Sequence, residues 1–253
     1  MNPTPPLASP AAFVTALAVV MFGAGGCATP GALHLYTIAT AQTAVVRDTR
    51  GGAAADDAHD FLASGETLTG FAYDPFTDHF FLRLAPGDRV RVLDRPNRWI
   101  KREFIGEQLP AAGGGDLAVR PRDGHIFFVH PTEPALLELT RLGKFVRTLP
   151  LAPPSAVPTG VAYDAAHDRL LVLEGPRTIV TRDLDGRALG RVALDRAVGR
   201  SLAFDAETRE FYASLAGEPA QVGVFDETGR MVRTLPFAAS FVDLGPRSFL
   251  RLF

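Results

Sequence analysis

The segment LGKFVRTLP at residues 142–150 recurs as TGRMVRTLP at residues 228–236. A third version, DGRALGRV, lies midway between them at residues 185–192. The turn glycines of the three copies follow one another at intervals of 43 residues (Gly143, Gly186 and Gly229). A fixed period of this length is typical of proteins built from repeated structural units, so it decides the fold class before any single residue does.

A second half-motif alternates with the first. Its marker alanines are 46, 44 and 41 residues apart (Ala72, Ala118, Ala162 and Ala203). Each copy continues through a polar turn into a short apolar run, such as HFFL at residues 79–82 and HIFFV at residues 125–129. Short aromatic or aliphatic runs bounded by Asp, Gly and Pro are typical of buried strands. Each repeat therefore holds about four strands, which is one blade of a β-propeller.

The two ends of the chain predict how the ring closes. Asn97 and Gly51 extend the turn series backwards in steps of 46, and nothing before Gly51 resembles a first half-motif. Residues 240–244 and 248–252 resemble a first half with nothing after it. Pairing the two ends in one composite blade removes exposed strand edges. We predict an all-β propeller of about five four-stranded blades, and the additional strand at residues 33–40 leaves six irregular blades as the alternative.

The N-terminus carries a candidate export signal. Residues 11–22 form a 12-residue apolar run, too short to span a bilayer but suited to the core of a signal peptide. Small residues follow, then Cys27, the only cysteine in the chain. This segment resembles a bacterial lipoprotein signal over residues 1–27, which implies lipidation of Cys27 and a propeller domain over residues 28–253. By the same resemblance, Ala28 after the cysteine favours the periplasmic face of the outer membrane. A signal cleaved near Ala28, which would leave the protein soluble in the periplasm, and an uncleaved anchor are the alternatives.

The charge balance argues against nucleic-acid binding. The chain has 26 basic and 28 acidic residues, for a net charge of −2, and they are interspersed. Binding to phosphates would need clustered Lys and Arg. The apolar fraction of 47% is sufficient for one core, and no low-complexity linker divides the chain.

The repeats resemble those of the NHL family and of the bacterial YncE and gluconolactonase propellers. VGVFDETGRMV at residues 222–232 is similar to the second half of an NHL repeat, and GVAYD at residues 160–164 is similar to its first half. The resemblance covers roughly residues 33–253 and implies the propeller fold. It does not imply one activity, because proteins with this fold carry different sites.

Candidate ligand contacts follow from the places where one repeat differs from the others. Just before the marker alanine, one blade offers Asp116 and another Arg200, and such a pair can clamp a polar ligand. The alternative is a structural ion pair at the channel rim. Further candidates occupy matched positions in other blades (Thr69, Thr159, His130 and Glu174).

Other conspicuous residues have simpler interpretations. The aspartates that follow the first strands are expected to hold tight turns through their side chains (Asp74, Asp164 and Asp205). The turn histidines are expected to be solvated (His79, His125 and His167). Phenylalanines and a tyrosine in the second strands are expected to form the core (Phe80, Phe81, Phe127, Phe128 and Tyr212). The sequence lacks a serine-hydrolase elbow, a P-loop and a dinucleotide fingerprint.

Two functional classes remain. The first is a non-catalytic, lipid-anchored binding or scaffold module of the cell envelope, monomeric and without metal or cofactor, which holds an envelope protein or component. The second is a periplasmic hydrolase or lyase, of the lactonase or phytase-like type, that acts in the central channel. A small-ligand sensor using the same channel is a weaker third possibility.

Overall fold

The computed structural model describes residues 1, 33–38, 46–48, 55–56, 61–87, 89–110, 115–153, 156–217 and 221–246. Within these residues the secondary structure consists of twenty strands, which pair as five four-stranded antiparallel sheets. None of the described residues forms a helix of the length and hydropathy needed to cross a membrane.

Four sheets are continuous in the chain, and each begins with its innermost strand. The first contains β4 (Thr67–Asp74), β5 (His79–Ala85), β6 (Arg89–Asp94) and β7 (Trp99–Ile105). The second contains β8 (Leu117–Arg120), β9 (His125–Val129), β10 (Ala135–Leu139) and β11 (Phe145–Pro150). The third contains β12 (Pro158–Asp164), β13 (Arg169–Glu174), β14 (Thr178–Arg182) and β15 (Ala188–Ala193). The fourth contains β16 (Val198–Asp205), β17 (Glu210–Leu215), β18 (Gln221–Phe225) and β19 (Met231–Ala238).

The fifth sheet joins the two ends of the chain. Its order is β20 (Phe241–Pro246), β1 (Leu33–Ile38), β2 (Val46–Asp48) and β3 (Ala55–Asp56). Strands β1 and β20 pair over six positions, from Leu33 opposite Pro246 to Ile38 opposite Phe241. The predicted composite sheet is therefore confirmed, but the predicted division of its strands is wrong. The N-terminus supplies three strands and the C-terminus one, because the apolar run at Leu33–Ile38 pairs with the innermost strand as the second strand of the sheet. The predicted turn at Gly51 and the predicted strand at residues 248–252 lie outside the described residues.

The innermost strands surround a central channel. Strands β4, β8, β12, β16 and β20 contact one another in this order, and β20 contacts β4 to close the ring. We call the end of the ring where these strands begin the entry end, and the end where they finish the exit end. This arrangement of radial four-stranded sheets is a β-propeller, and the predicted fold class is confirmed.

Local sequence signals account for the blades. Gly143, Gly186 and Gly229 occupy the turns between third and fourth strands with φ of 86°, 83° and 86°. A Cβ at Gly186 would lie 2.1 Å from the Pro150 carbonyl oxygen of the preceding sheet, so this turn needs glycine both for its φ and for its close packing. The second-strand aromatics predicted to be core are all buried, as expected for strands covered on both faces (Phe80, Phe81, Phe127, Phe128 and Tyr212).

The first-to-second strand turns confirm one prediction and correct another. The predicted turn aspartates each accept a hydrogen bond from the backbone N–H two residues later, at 3.0 Å in every copy (Asp74, Asp164 and Asp205). His79, however, is not solvated. Its ring is buried beside Lys101, 3.1 Å away, and burial together with this positive charge lowers its pKa. His125 is half-buried against Glu138 at 2.6 Å, and His167 is exposed.

Candidate functional site

The central channel is lined by backbone groups that no neighbouring strand can pair. Each innermost strand bonds to a second strand on one side only, so its other edge faces the channel. Buried backbone N–H and C=O groups require partners. Three side chains provide them here, Asp116, Ser201 and Asp243, and their positions explain why polar residues occur in the channel.

Asp116 precedes β8 at the entry end and is almost completely buried, with 1% of its surface exposed. Its Oδ1 accepts a hydrogen bond from the Phe71 N–H of β4 at 3.4 Å, and its Oδ2 accepts one from the Leu202 N–H of β16 at 3.3 Å. One carboxyl group therefore connects the innermost strands of three sheets across the channel. Burial raises the pKa of Asp116 well above its ordinary value, and the nearby Asp243 carboxyl raises it further.

Ser201 joins the fourth sheet to the composite sheet. Its Oγ donates to the Val242 carbonyl at 3.1 Å and accepts from the Val242 N–H at 3.0 Å. Both groups are buried. These two bonds hold β20 against β16. They therefore also fix the position of the next residue, Asp243, along the channel.

Asp243 lies deeper toward the exit end. Its Oδ2 accepts a hydrogen bond from the Tyr73 N–H at 2.6 Å and its Oδ1 accepts one from the Leu244 N–H at 2.7 Å. Asp243 is partly exposed through the cavity, but the surrounding protein atoms keep water from its carboxyl and raise its pKa from 3.8 to about 7, and the two backbone amides offset only part of that effect. Within the part of the chain that the structure describes, no lysine or arginine side chain bonds to Asp243. The group therefore changes charge near neutral pH.

Asp243 faces a cavity of about 250 Å³ at the exit end, which we call the exit cavity. All five innermost strands contribute to its lining, either from their last residues or from the turns that follow (Leu33, Tyr73, Pro75, Ala118, Val119, Pro121, Tyr163, Ala165, Phe204, Ala206, Glu207, Asp243, Leu244, Gly245 and Pro246). The lining is apolar except for the tyrosines, Asp243 and Glu207. Among the described residues that line it, Asp243 and Glu207 are the charged side chains, and none is basic. A concave apolar site with a few convergent polar groups is the usual form of a small-molecule site.

The tyrosines of the exit cavity are fixed in place. The Tyr73 ring packs 4.5 Å from that of Tyr36, and its hydroxyl donates to Asp78 Oδ1 at 2.9 Å. The Tyr163 hydroxyl donates to Asp168 Oδ1. Burial raises the pKa of both tyrosines, and the neighbouring carboxylates raise it further, so both hydroxyls stay protonated. The walls of the cavity are therefore formed before any ligand arrives.

A larger cavity, about 430 Å³, lies between the third and fourth sheets at the same end. It shares Phe204 and Ala206 with the exit cavity. Four of its five charged side chains pair with one another: His167 lies 2.8 Å from Asp164, and Arg209 lies 2.5 Å from Glu227, while the fifth is Arg169. We consider the smaller exit cavity the better candidate, because the Asp243 carboxyl in it binds backbone N–H groups and no basic side chain among the described residues.

The residues predicted as ligand contacts lie at the entry end, and the structure does not bring them together around one site. The Thr69 hydroxyl donates to the Arg83 carbonyl at 3.1 Å, and the Thr159 hydroxyl donates to the Leu173 carbonyl at 3.5 Å. Each of these bonds connects an innermost strand to its own second strand. Both threonines therefore have a structural role within one sheet.

The other predicted contacts are also separated from one another. His130 Nδ1 accepts the backbone N–H of Glu133 at 3.0 Å, and the buried Glu174 carboxylate binds the Arg182 Nε at 2.7 Å. Arg200 is exposed, whereas Asp116 is buried, and the structure shows no bond between them. Of the six predicted contacts, only Asp116 reaches the channel centre.

The sequence interpretation missed Asp243. One signal could have identified it: a carboxylate interrupts the otherwise apolar run Phe241-Val242-Asp243-Leu244. A charged residue inside a strand that is expected to be buried requires either a partner or a function. Among the described residues, no group of three or more His, Cys, Asp or Glu side chains has the arrangement of a metal site.

Comparisons with known proteins support the fold. No family model matches the chain, and no curated protein matches it. A chain in the crystal structure of a nidogen/laminin complex is similar, with a TM-score of 0.60 and 14% identity over 85% of this chain and 100% of that one. A protein of unknown function from Bacteroides caccae gives a TM-score of 0.53 and 11% identity over 86% and 99% of the two chains. A glutaminyl cyclase from Myxococcus xanthus gives 0.51 and 17% over 70% and 69%. At these identities, the likeness establishes that the chain is a β-propeller.

Proposed function

We propose that this protein is a non-catalytic binding module of the bacterial cell envelope, and that it holds its ligand in the exit cavity. The observation that carries the proposal is that all five innermost strands line one preformed apolar cavity around a partly buried carboxyl, Asp243. At the opposite, entry end, the buried predicted contacts are engaged within the fold. There Asp116 is bonded to the backbone of two other sheets, and Glu174 is bonded to Arg182.

The cellular location rests on the sequence. The apolar run at residues 11–22 and the small residues before Cys27 support export and lipid attachment at Cys27. We propose the periplasmic face of the outer membrane as the location, with the soluble periplasm as the alternative. The NHL-like and YncE-like repeats support the same class of exported propeller.

A blocking substitution at the cavity rim tests the proposal. Ala165 is exposed, lies on a turn and lines the exit cavity, so Ala165→Trp is expected to fill the opening without disturbing the core. Its neighbour Ala166 is exposed on the same turn but does not line the cavity, which makes Ala166→Trp a matched control.

The readout is what remains bound to the tagged, full-length protein after crosslinking and solubilisation of the membranes. Proteins, lipids and small molecules are identified by mass spectrometry. We expect at least one envelope component that is retained by the wild type and by Ala166→Trp and lost from Ala165→Trp. Equal retention by the two variants would mean that the exit cavity is not the binding surface.

One observation favours the alternative of a hydrolase or lyase acting in the channel. Asp243 has a pKa of about 7 and Asp116 lies near enough to be affected by its charge, and raised carboxyl pKa values are typical of general acids and bases. Turnover of lactones or phosphate esters by the wild type, lost in Asp243→Asn, would support this alternative. The binding-module proposal predicts no turnover by either protein.

A further inference from the structure

The lining of the exit cavity has a charge pattern that selects among ligands. Among the described residues, the charged side chains of the lining are two carboxylic acids, Asp243 and Glu207, and no Lys, Arg or His lines it. An anionic ligand would meet no positive charge there. A neutral apolar ligand would cover the Asp243 carboxyl in the lining without compensating its charge.

Two basic side chains outside the lining bind the carboxylates that hold its tyrosines. Arg122 binds Asp168 Oδ2 at 2.6 Å, and Asp168 accepts the Tyr163 hydroxyl. Arg95 binds Asp78 Oδ1 at 2.5 Å, and Asp78 accepts the Tyr73 hydroxyl. Both guanidinium groups are therefore already paired with carboxylates, and neither residue lines the cavity.

Three aromatic side chains complete the lining: Tyr73, Tyr163 and Phe204. Aromatic faces attract organic cations, and the attraction is larger where water is excluded. A carboxylate beside aromatic rings is therefore a suitable environment for an alkylammonium group. The Asp243 oxygens accept one backbone N–H each, and an ionised carboxylate has lone pairs for further donors.

We propose that the exit cavity binds a small organic cation, an alkylammonium group, between the carboxylate of Asp243 and the aromatic rings of Tyr73, Tyr163 and Phe204. This inference rests on the proposed function, because it specifies the ligand of the same cavity. The volume of about 250 Å³ equals roughly eight water molecules, so the cavity accommodates a head group the size of choline or ethanolamine and not a large ligand.

Calorimetric titration of the full-length protein in a maltoside detergent tests the proposal. The probes are choline and its neutral isostere, 3,3-dimethylbutan-1-ol, which have the same shape and differ in charge. At about pH 8 we expect choline to bind at least about tenfold more tightly than the isostere, since one charge–carboxylate contact of this kind corresponds to such a ratio. Equal affinities would overturn the cation assignment while leaving the exit cavity as a binding site.

The pH dependence of choline binding gives a second readout. Choline keeps its charge at every pH, so any change comes from the protein. In the described part of the chain, the titratable groups around Asp243 are the Asp116 carboxyl, the Glu207 carboxylate and the protonated hydroxyls of Tyr73 and Tyr163, whose partners Asp78 and Asp168 pair with Arg95 and Arg122. Because Asp243 ionises near neutrality, choline affinity should rise about tenfold or more between about pH 5.5 and pH 8, and isostere affinity should stay constant. A flat choline profile would contradict the role of Asp243.

Two variants keep the proposal testable even if one of them fails to fold. Asp243→Asn should reduce choline affinity to that of the isostere. Ala165→Trp should abolish binding of both probes, while the control Ala166→Trp should bind both as the wild type does. Choline binding that survives in Ala165→Trp would place the cation elsewhere and refute the proposal.

The same ammonium chemistry can come from a free amine or from a lipid head group. A short-chain phosphatidylcholine, with the matching phosphatidylglycerol as control, distinguishes the two sources. Tighter binding of the phosphatidylcholine than of free choline would identify a lipid head group, and the reverse order would identify a free cation. If the phosphatidylglycerol bound as well as the phosphatidylcholine, the cation assignment would be wrong.

Discussion

The raised pKa of Asp243 has a measurable effect on stability, and Asp243→Asn isolates it. In the unfolded chain an aspartate has a pKa near 3.9, whereas in the folded protein this carboxyl titrates at about 7. Between these values the folded state binds more protons than the unfolded state. The contribution of Asp243 to stability is therefore complete below about pH 4 and is lost as the pH rises through 7.

The magnitude follows from the two pKa values. Between about pH 5 and pH 8, ionisation of Asp243 should reduce the free energy of unfolding by roughly 2.5 kcal/mol, an order-of-magnitude figure. The asparagine variant does not titrate. Its side-chain oxygen can still accept the Tyr73 N–H, while loss of the Leu244 bond costs about 1 kcal/mol at every pH. The variant should therefore gain stability relative to the wild type as the pH rises. Removal of the Asp243 charge also lets Asp116 ionise more easily, which adds to this relative gain in stability.

Denaturant unfolding of both proteins at several pH values provides the measurement. The quantity compared is the difference between variant and wild type, in which the groups that do not interact with Asp243 cancel. In thermal scans the change corresponds to roughly 5–10 °C between the two pH limits for a domain of this size. Asp185→Asn is the control, because that side chain is 81% exposed and makes the same change of charge. The reasoning is refuted if the difference for Asp243→Asn stays constant from pH 5 to pH 8, or if the variant loses stability relative to the wild type as the pH rises.

Three further predictions concern the anchor, the ring and the predicted contact residues. Cys27→Ala is expected to move the full-length protein from the membrane fraction to the soluble periplasm, and unchanged attachment would contradict lipidation. Deletion of residues 240–253 removes the innermost strand of the composite sheet, so we expect the cooperative thermal transition to disappear; melting at the wild-type temperature would contradict ring closure by this strand. Glu174→Ala removes the carboxylate that binds the buried Arg182 and should lower the free energy of unfolding by about 3–5 kcal/mol. Arg200 is exposed, so Arg200→Ala should change the free energy of unfolding by less than about 0.5 kcal/mol. Similar effects of these last two substitutions in chemical denaturation would contradict their structural assignments.

The blades could be predicted from the sequence because their signals are local. The turn at Gly186 and the buried strands beside it follow from residues that are neighbours in the chain, and the period repeats them. The composition of the composite sheet could not be predicted in the same way. Its decisive contact pairs Leu33–Ile38 with residues at the opposite end of the chain, and neither segment alone shows which of the two is innermost.

The predicted contacts and the exit cavity lie at opposite ends of the channel for a physical reason. A polar residue at a position that is apolar or small in the other repeats, such as Asp116, is conspicuous in the sequence. In the structure, however, its carboxyl accepts hydrogen bonds from backbone N–H groups of neighbouring innermost strands. The exit cavity is formed mainly by residues that follow the repeat pattern, such as Tyr73 and Tyr163, and it becomes a site through ring closure. The elevated pKa of Asp243 likewise depends on the loss of water among the surrounding sheets. That environment cannot be predicted from the residues next to Asp243 in the sequence.

If Cys27 carries a lipid, as proposed, the pairing of Leu33 with Pro246 determines which end of the propeller faces the membrane. It places the start of β1 at the exit end, where Leu33 itself lines the exit cavity. Cys27 precedes Leu33 by six residues, and six fully extended residues span at most about 20 Å. An acyl chain on Cys27 would therefore hold the exit end of the propeller close to the bilayer. The opening of the exit cavity would face the membrane surface, and lipid head groups would be the molecules that it encounters most often.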